Sequence, residues 1–230
     1  MDGGPAGGGM VAAINDMLPL AMAVALSPFP IVAIVLVLGA RAGLRAGVAF
    51  SAGWLLGLGS LGALLLIAAA RGPGSDDPIG GFVPIGIGLA LFAGARRKWR
   101  TRPRAAEPPR VPGWMASLND ISAGRAALIG AGLGGLNPKN IGLVFAATTS
   151  MAGNGLSRHE AIACLAVFIL LGSVTVLGAL VARALGGQRA AAPLEAVKQF
   201  MLANNNVIMI TVFLLIGAKL IGEGLASLSG

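Results

Sequence analysis

From Val11 to Ile221 the chain is a series of long apolar runs separated by short polar turns, and this pattern limits its possible folds most. The runs cover about 11–39, 46–70, 79–95, 121–150, 160–185 and 206–221. A membrane helix needs about 20 mostly apolar residues, so the runs amount to roughly six spans. Only 11% of the 230 residues are charged, against about a quarter in soluble domains. Inside hydrocarbon, a spanning segment must satisfy its own backbone hydrogen bonds, and a continuous apolar run does so as a helix. The expectation is an all-α integral membrane protein forming one transmembrane domain over 1–230.

Two of the runs are interrupted in the same way. Leu26-Ser-Pro-Phe-Pro-Ile31 breaks the first, and Leu136-Asn-Pro-Lys-Asn-Ile141 breaks the fourth, 110 residues later. Each break follows an Asn-Asp pair, Asn15-Asp16 and Asn119-Asp120. Proline removes an amide hydrogen and opens the preceding turn. In a bilayer such openings survive only inside protein or beside a wet cavity. The match divides the chain into a repeat over about 11–95, a linker over about 96–120 and a second repeat over about 121–222. Three spans per repeat is an odd number, so the two repeats are expected to be inverted in the membrane. Matched broken helices in inverted repeats point to the binding site of a secondary transporter.

The formal charge of +8 is concentrated rather than spread, because seven of the 17 basic residues lie between Arg96 and Arg110. A juxtamembrane cluster of this kind faces the cytoplasm and its anionic lipids, which makes nucleic acid a poor partner. With Arg41, Arg45, Arg183, Arg189 and Lys198, twelve basic residues fall on that side and only Arg71 and Arg158 on the other. Both termini are therefore expected outside a plasma membrane, with the 96–110 loop inside. Pro103, Pro108, Pro109 and Pro112 should keep that linker from being helical. The first nine residues are Gly-rich and acidic, so no cleavable signal peptide is expected, and Met10 is a second candidate start. Lone Cys164 reads as a small buried hydrophobe.

Lys139 is the sharpest candidate site residue. About 24–27 Å along a helix starting near Ile121, it lies within the membrane beside Asn137 and Asn140, and a buried lysine there is a functional candidate by default. Either it binds the carbonyls of the opened helix, or it receives an anionic group such as phosphate, sulfate or carboxylate. Ser27 is the polar member of the first break, with Pro28, Pro30 and Pro138 as the helix breakers. Asp16 and Asp120 sit near helix starts, where capping is the ordinary role, and either could take a coupling proton if it faced a cavity. Lys219 and Glu223 are spaced as an i, i+4 pair. Asn204-Asn-Asn206 is placed to cap the last span. The Pro193–Met201 stretch is expected in the headgroup layer, and Trp54, Trp99 and Trp114 read as interfacial anchors, though Trp54 lies well inside the second run.

Other chemistry finds no foothold. No His, Cys, Asp or Glu cluster has metal-ligand spacing, no Walker-type phosphate loop occurs, and the spans hold no central carboxylate pair for a divalent cation. Neither catalysis nor a metal or other cofactor is expected.

At its two breaks the sequence resembles a known family. Leu18 to Ile31, Leu-Pro-Leu-Ala-x-x-x-Ala-Leu-Ser-Pro-Phe-Pro-Ile, and Asn137-Pro-Lys-Asn140 are similar to the sulfolipid-addressing protein family of mycobacteria and related actinobacteria. That family is also called peptidoglycolipid-addressing, or GAP, and is grouped with the lysine-exporter superfamily of six-span carriers. The resemblance implies export of a cell-envelope lipid or glycolipid, or its anionic precursor, across the inner membrane. It carries site roles onto Ser27, Pro28, Pro30, Asn137, Pro138, Lys139 and Asn140, and nothing onto the basic loop. Two alternatives stand beside it: a small-solute exporter of amino-acid type, and a non-transporting scaffold for envelope-lipid assembly proteins. Spans this rich in glycine can also pack as a homodimer.

Overall fold

Proline decides where the first helix stops. A computed structural model describes residues 8–71, 78–101, 118 and 121–229 and is helical throughout, with no strand among them. Helix α1 (Gly8–Ala25) ends just before the Ser-Pro-Phe-Pro motif, and α2 (Pro28–Gly39) starts on it. Ser27 between them is extended, at φ −79° and ψ 112°. Pro28 and Pro30 fall in the first turn of α2, where a missing amide hydrogen loses nothing. Helix α3 (Gly43–Arg71) follows without a break, then α4 (Pro78–Arg100).

The second half begins with the same device. Helix α5 (Ala123–Gly135) is capped by Ser122, whose side chain accepts from the Arg125 amide, and α6 (Pro138–Gly153) starts on Pro138. Helix α7 (Arg158–Gly172) opens with a reciprocal Ser157–Glu160 capping box. Helix α8 (Val174–Gly186) continues it beyond Ser173, and a 3₁₀ turn, Gly187–Ala190, leads into α9 (Ala191–Ser229). Three helical stretches, Gly8–Ala25, Gly43–Ala69 and Val174–Ala226, are long and apolar enough to cross a membrane. Leu56, Leu64, Leu128, Leu185 and Leu215 are exposed on the outer surface, as expected of a molecule solvated by lipid.

Glycine sets how closely the helices approach. On α3 and α5, Gly53, Gly57, Gly130 and Gly134 face the partner's backbone. A Cβ at Gly53 would lie 2.0 Å from the Ala127 carbonyl oxygen, and one at Gly130 2.1 Å from that of Phe50. This is the small-xxx-small contact by which membrane helices bring their backbones together. Helices α4 and α9 meet the same way, with a Gly88 Cβ 2.8 Å from the Gly217 oxygen. Helix α1 packs on α7 and on α6, α3 on α6, and α2 on α3, α8 and α9. Helix α2 is the most enclosed element, with Ile31 to Val35, Val37 and Leu38 all buried.

Several expectations need correction. The fifth run is not one helix but two, divided at Ser173. The Pro193–Met201 stretch is no separate interfacial helix; it forms the first turns of α9, because Pro193 sits in that helix's first turn, where proline is tolerated. The three asparagines therefore lie inside α9 instead of capping it, and Asn204 Nδ2 donates to its own helix at the Phe200 oxygen, 2.9 Å. Helix α4 runs on through Arg100, so the start of the basic cluster is helical, since Pro103 acts only on the turn just before it. Trp54 is fully buried rather than interfacial. Asn119, Asp120 and the 102–117 part of the linker lie outside the described residues.

Candidate functional site at the helix breaks

Each break leaves carbonyls without the amide four residues on that a helix would supply, and buried carbonyls require partners. In the first break the Leu26 and Ser27 amides turn back to the Met22 and Val24 oxygens, at 2.9 and 3.2 Å. The Ala23 and Ala25 oxygens are then taken by side chains from the second half. Lys139 Nζ donates to Ala23 at 2.6 Å, and Thr175 Oγ1 to Ala25 at 2.7 Å. In the second break, Asn140 Nδ2 donates to both Leu133 and Gly134, at 3.0 Å each. Asn137 caps α6 by accepting from the Lys139 amide at 3.0 Å.

The sequence-expected residues thus come together unequally. Lys139, Asn137 and Asn140 surround the second break, and Lys139 reaches across to the first. Ser27 is buried, and its side chain makes no capping bond. Pro28, Pro30 and Pro138 begin helices, as their positions require. The first break has Phe29 and Pro30 where the second has Lys139 and Asn140, and Ser27, its polar side chain, makes no capping bond. Its partners come from α6 and α8.

Lys139 is 8% exposed, and among the described residues no carboxylate pairs with it. An ammonium has three donors, and one is committed to Ala23. It forms part of the wall of a cavity of about 510 Å³ between α4, α6 and α9. The other walls are apolar: Ile87 and Leu91 from α4, Ile141 and Phe145 from α6, and Phe213 from α9. Among the described residues, Lys139 is the one ionisable side chain on them. The cavity reaches the molecular surface, since Ala90, Pro138 and Ile141 on its rim are exposed. A lysine on the wall of an apolar cleft that opens to the molecular surface is matched to a molecule with one anionic group and an apolar body.

Asp16 lies two turns into α1 and therefore does not cap it. Its Oδ2 accepts from Ser150 Oγ at 2.9 Å and Asn154 Nδ2 at 3.5 Å, both at the far end of α6. It borders a second cavity of about 230 Å³, shared with Glu223, Thr149 and Phe145. Phe145 lines both cavities. Lys219 and Glu223 are paired, as their spacing implies.

Two features escaped sequence reasoning. The break at Ser173 carries a buried hydrogen bond from Trp54 Nε1 to Ser173 Oγ, 2.9 Å, which ties α3 to the α7–α8 junction. The adjacent Gly172-Ser173 pair was the available signal, since such pairs are recognised kink sites. Thr175, which closes Ala25, had no signal in sequence, because its partner is 150 positions away.

No curated protein and no solved structure matches the chain. A family model described as "Sap, sulfolipid-1-addressing protein" matches residues 17–226. That match spans both helix breaks and every described residue of the larger cavity. The chain is a helical membrane protein belonging to the sulfolipid-1-addressing protein family.

Proposed function

We propose that the protein is a secondary translocator that exports an anionic cell-envelope lipid or glycolipid, or its precursor, across the plasma membrane without catalysing a reaction. The observation that carries this reading is the cavity between α4, α6 and α9: apolar, open to the molecular surface, and walled in part by Lys139. The headgroup would sit at Lys139 with Asn137 near it, while the acyl part stays against Ile87, Phe145 and Phe213. The family name supports a sulfolipid-related role, and a sulfate or phosphate ester is an anion that a lysine serves as a point charge.

The packing supports two inverted three-span repeats. Equating α1–α2 with α5–α6, α3 with α7–α8 and α4 with α9 carries most contacts onto one another. The α3–α5 seam becomes α7–α1, α3–α6 becomes α8–α2, and α4–α9 returns to itself. One departure from the rule lies at the cavity. Helix α2 packs on α9, whereas the equivalent pair, α6 and α4, is parted by the cavity. A transporter caught with one of two equivalent clefts open has this asymmetry, and rocking between repeats would exchange them. The topology that goes with it has both termini outside and the basic loop inside.

A small-solute exporter of amino-acid type calls for an enclosed aqueous chamber, and the apolar walls and opening to the surface favour the lipid reading over it. A photoactivatable alkyl sulfate tests the assignment. It should label α4, α6 and α9 around Ile87, Phe145 and Phe213, and Lys139→Ala should abolish the labelling. Equal labelling of Lys139→Ala, or labelling confined to the outer surface, overturns it.

A further inference from the structure

Helices α1 and α6 lie antiparallel and are fastened at both ends by bonds of opposite charge character. At one end the Lys139 ammonium of α6 holds the Ala23 carbonyl of α1. At the other, the Asp16 carboxylate of α1 holds Ser150 and Asn154 of α6. Asn154 Nδ2 also donates to the Ser150 oxygen at 2.8 Å, which joins the two donors into one unit. Each fastening faces a cavity, Lys139 the larger and Asp16 the smaller, and Phe145 stands between them.

We propose that Asp16 is a proton-binding site that couples proton uptake to substrate movement by unfastening the far end of α6. This rests on the translocation reading above for its transport consequence, but not for the latch itself. A hydrogen bond to a carboxylate is roughly twice as strong as one to a neutral acceptor. A proton taken from water in the smaller cavity onto an Asp16 oxygen therefore weakens the hold on Ser150 and Asn154. An anion bound in the larger cavity draws Lys139 from Ala23 and weakens the other end. Neither event alone frees α6, and both together do. Two ligands that each loosen one end of the same element are thermodynamically linked.

The surroundings of Asp16 are compatible with this role. From α9, Glu223 borders the same cavity and is held by Lys219. From α4, Pro84 contributes no charge, and from α6 the two donors are neutral. Helix α7 packs on α1 and carries Arg158, His159 and Glu160 in its first turn, with Glu160 engaged by Ser157. Among the described residues, no ion pair occupies Asp16.

Hydrogen exchange on the full chain in lipid nanodiscs reads the latch without any substrate. After correction for intrinsic exchange, protection of residues 148–155 should be lower in acid than at neutral pH. In Asp16→Asn, and in the Ser150→Ala/Asn154→Ala double variant, it should be low and independent of pH. Protection in Asp16→Asn that follows pH as in the wild type overturns the proposal. A second arm uses phosphatidylcholine vesicles carrying a fluorescent alkyl sulfate under an imposed pH gradient. The wild-type rate should rise with the gradient, and the ratio of rates with and without it should fall to about one in Asp16→Asn. An unchanged ratio overturns the coupling. If the wild type moves no alkyl sulfate while exchange still depends on Asp16, the translocation reading fails and the latch stands.

Discussion

Lys139 has two demands on it, and a residue-by-residue comparison can separate them. Its hydrogen bond to Ala23 closes the first break, while its charge serves the cavity. Lys139→Met removes both, and the unpaired carbonyl should lower stability by about 1–3 kcal/mol, measured by thermal unfolding in detergent. Asn140→Ala leaves Leu133 and Gly134 open and should destabilise by a similar amount, about 1–3 kcal/mol. Unlike Lys139→Met, it should leave the affinity for an alkyl sulfate largely intact, and a matched loss in both would mean that stability alone controls binding. At this scale the sequence was informative about position and silent about partners. An ionisable residue within an apolar run is visible by its cost, so Lys139 stood out. That its partner would be Ala23, 116 residues away, is a fact of tertiary packing that no local pattern carries.

At the scale of elements, backbone approach controls the seam between α3 and α5. Gly130 and Gly132 are two residues apart on one helix, yet a Cβ at Gly130 meets Phe50 backbone at 2.1 Å and one at Gly132 meets nothing within 4 Å. Gly132→Ala should therefore be neutral or stabilising by up to about 1 kcal/mol. Gly130→Ala must push the helices apart and should cost about 1–3 kcal/mol or prevent folding. Size-exclusion recovery and melting temperature of the pair decide this, and equal behaviour would mean that the seam is looser than described. Element ends were legible where proline marks them: Pro28 and Pro138, the expected helix breakers, each begin a new helix. They were not legible where a helix breaks without proline. Ser173 interrupts the fifth run and receives the Trp54 bond, and a double-mutant cycle on Trp54→Phe and Ser173→Ala should return a coupling of about 1 kcal/mol. A coupling near zero would show that the two groups act separately.

For the molecule as a whole, the contrast between the packed α2–α9 pair and the α4–α6 pair parted by the cavity matters most. If α6 and α4 close as α2 and α9 open, then bridging Ala90→Cys and Ile141→Cys with a short bifunctional reagent should stop transport reversibly. Cys164 is buried and should not interfere. Continued transport after complete bridging would mean that the cleft is no part of the path. Composition and run lengths made the membrane class plain, and the paired breaks pointed to Lys139, which lies on the cavity wall together with α4 residues of the first half. The long α9 and the helical start of the basic cluster were missed for one reason: proline stops only the turn before it, so Pro193 and Pro103 both act at the edge of a helix. The most direct trial is movement of a fluorescent anionic lipid in proteoliposomes, comparing wild type with Lys139→Ala and Lys139→Arg. Transport by the wild type, near-complete loss in Lys139→Ala and partial retention in Lys139→Arg is the expected result; equal lipid movement in all three would contradict a headgroup site at Lys139.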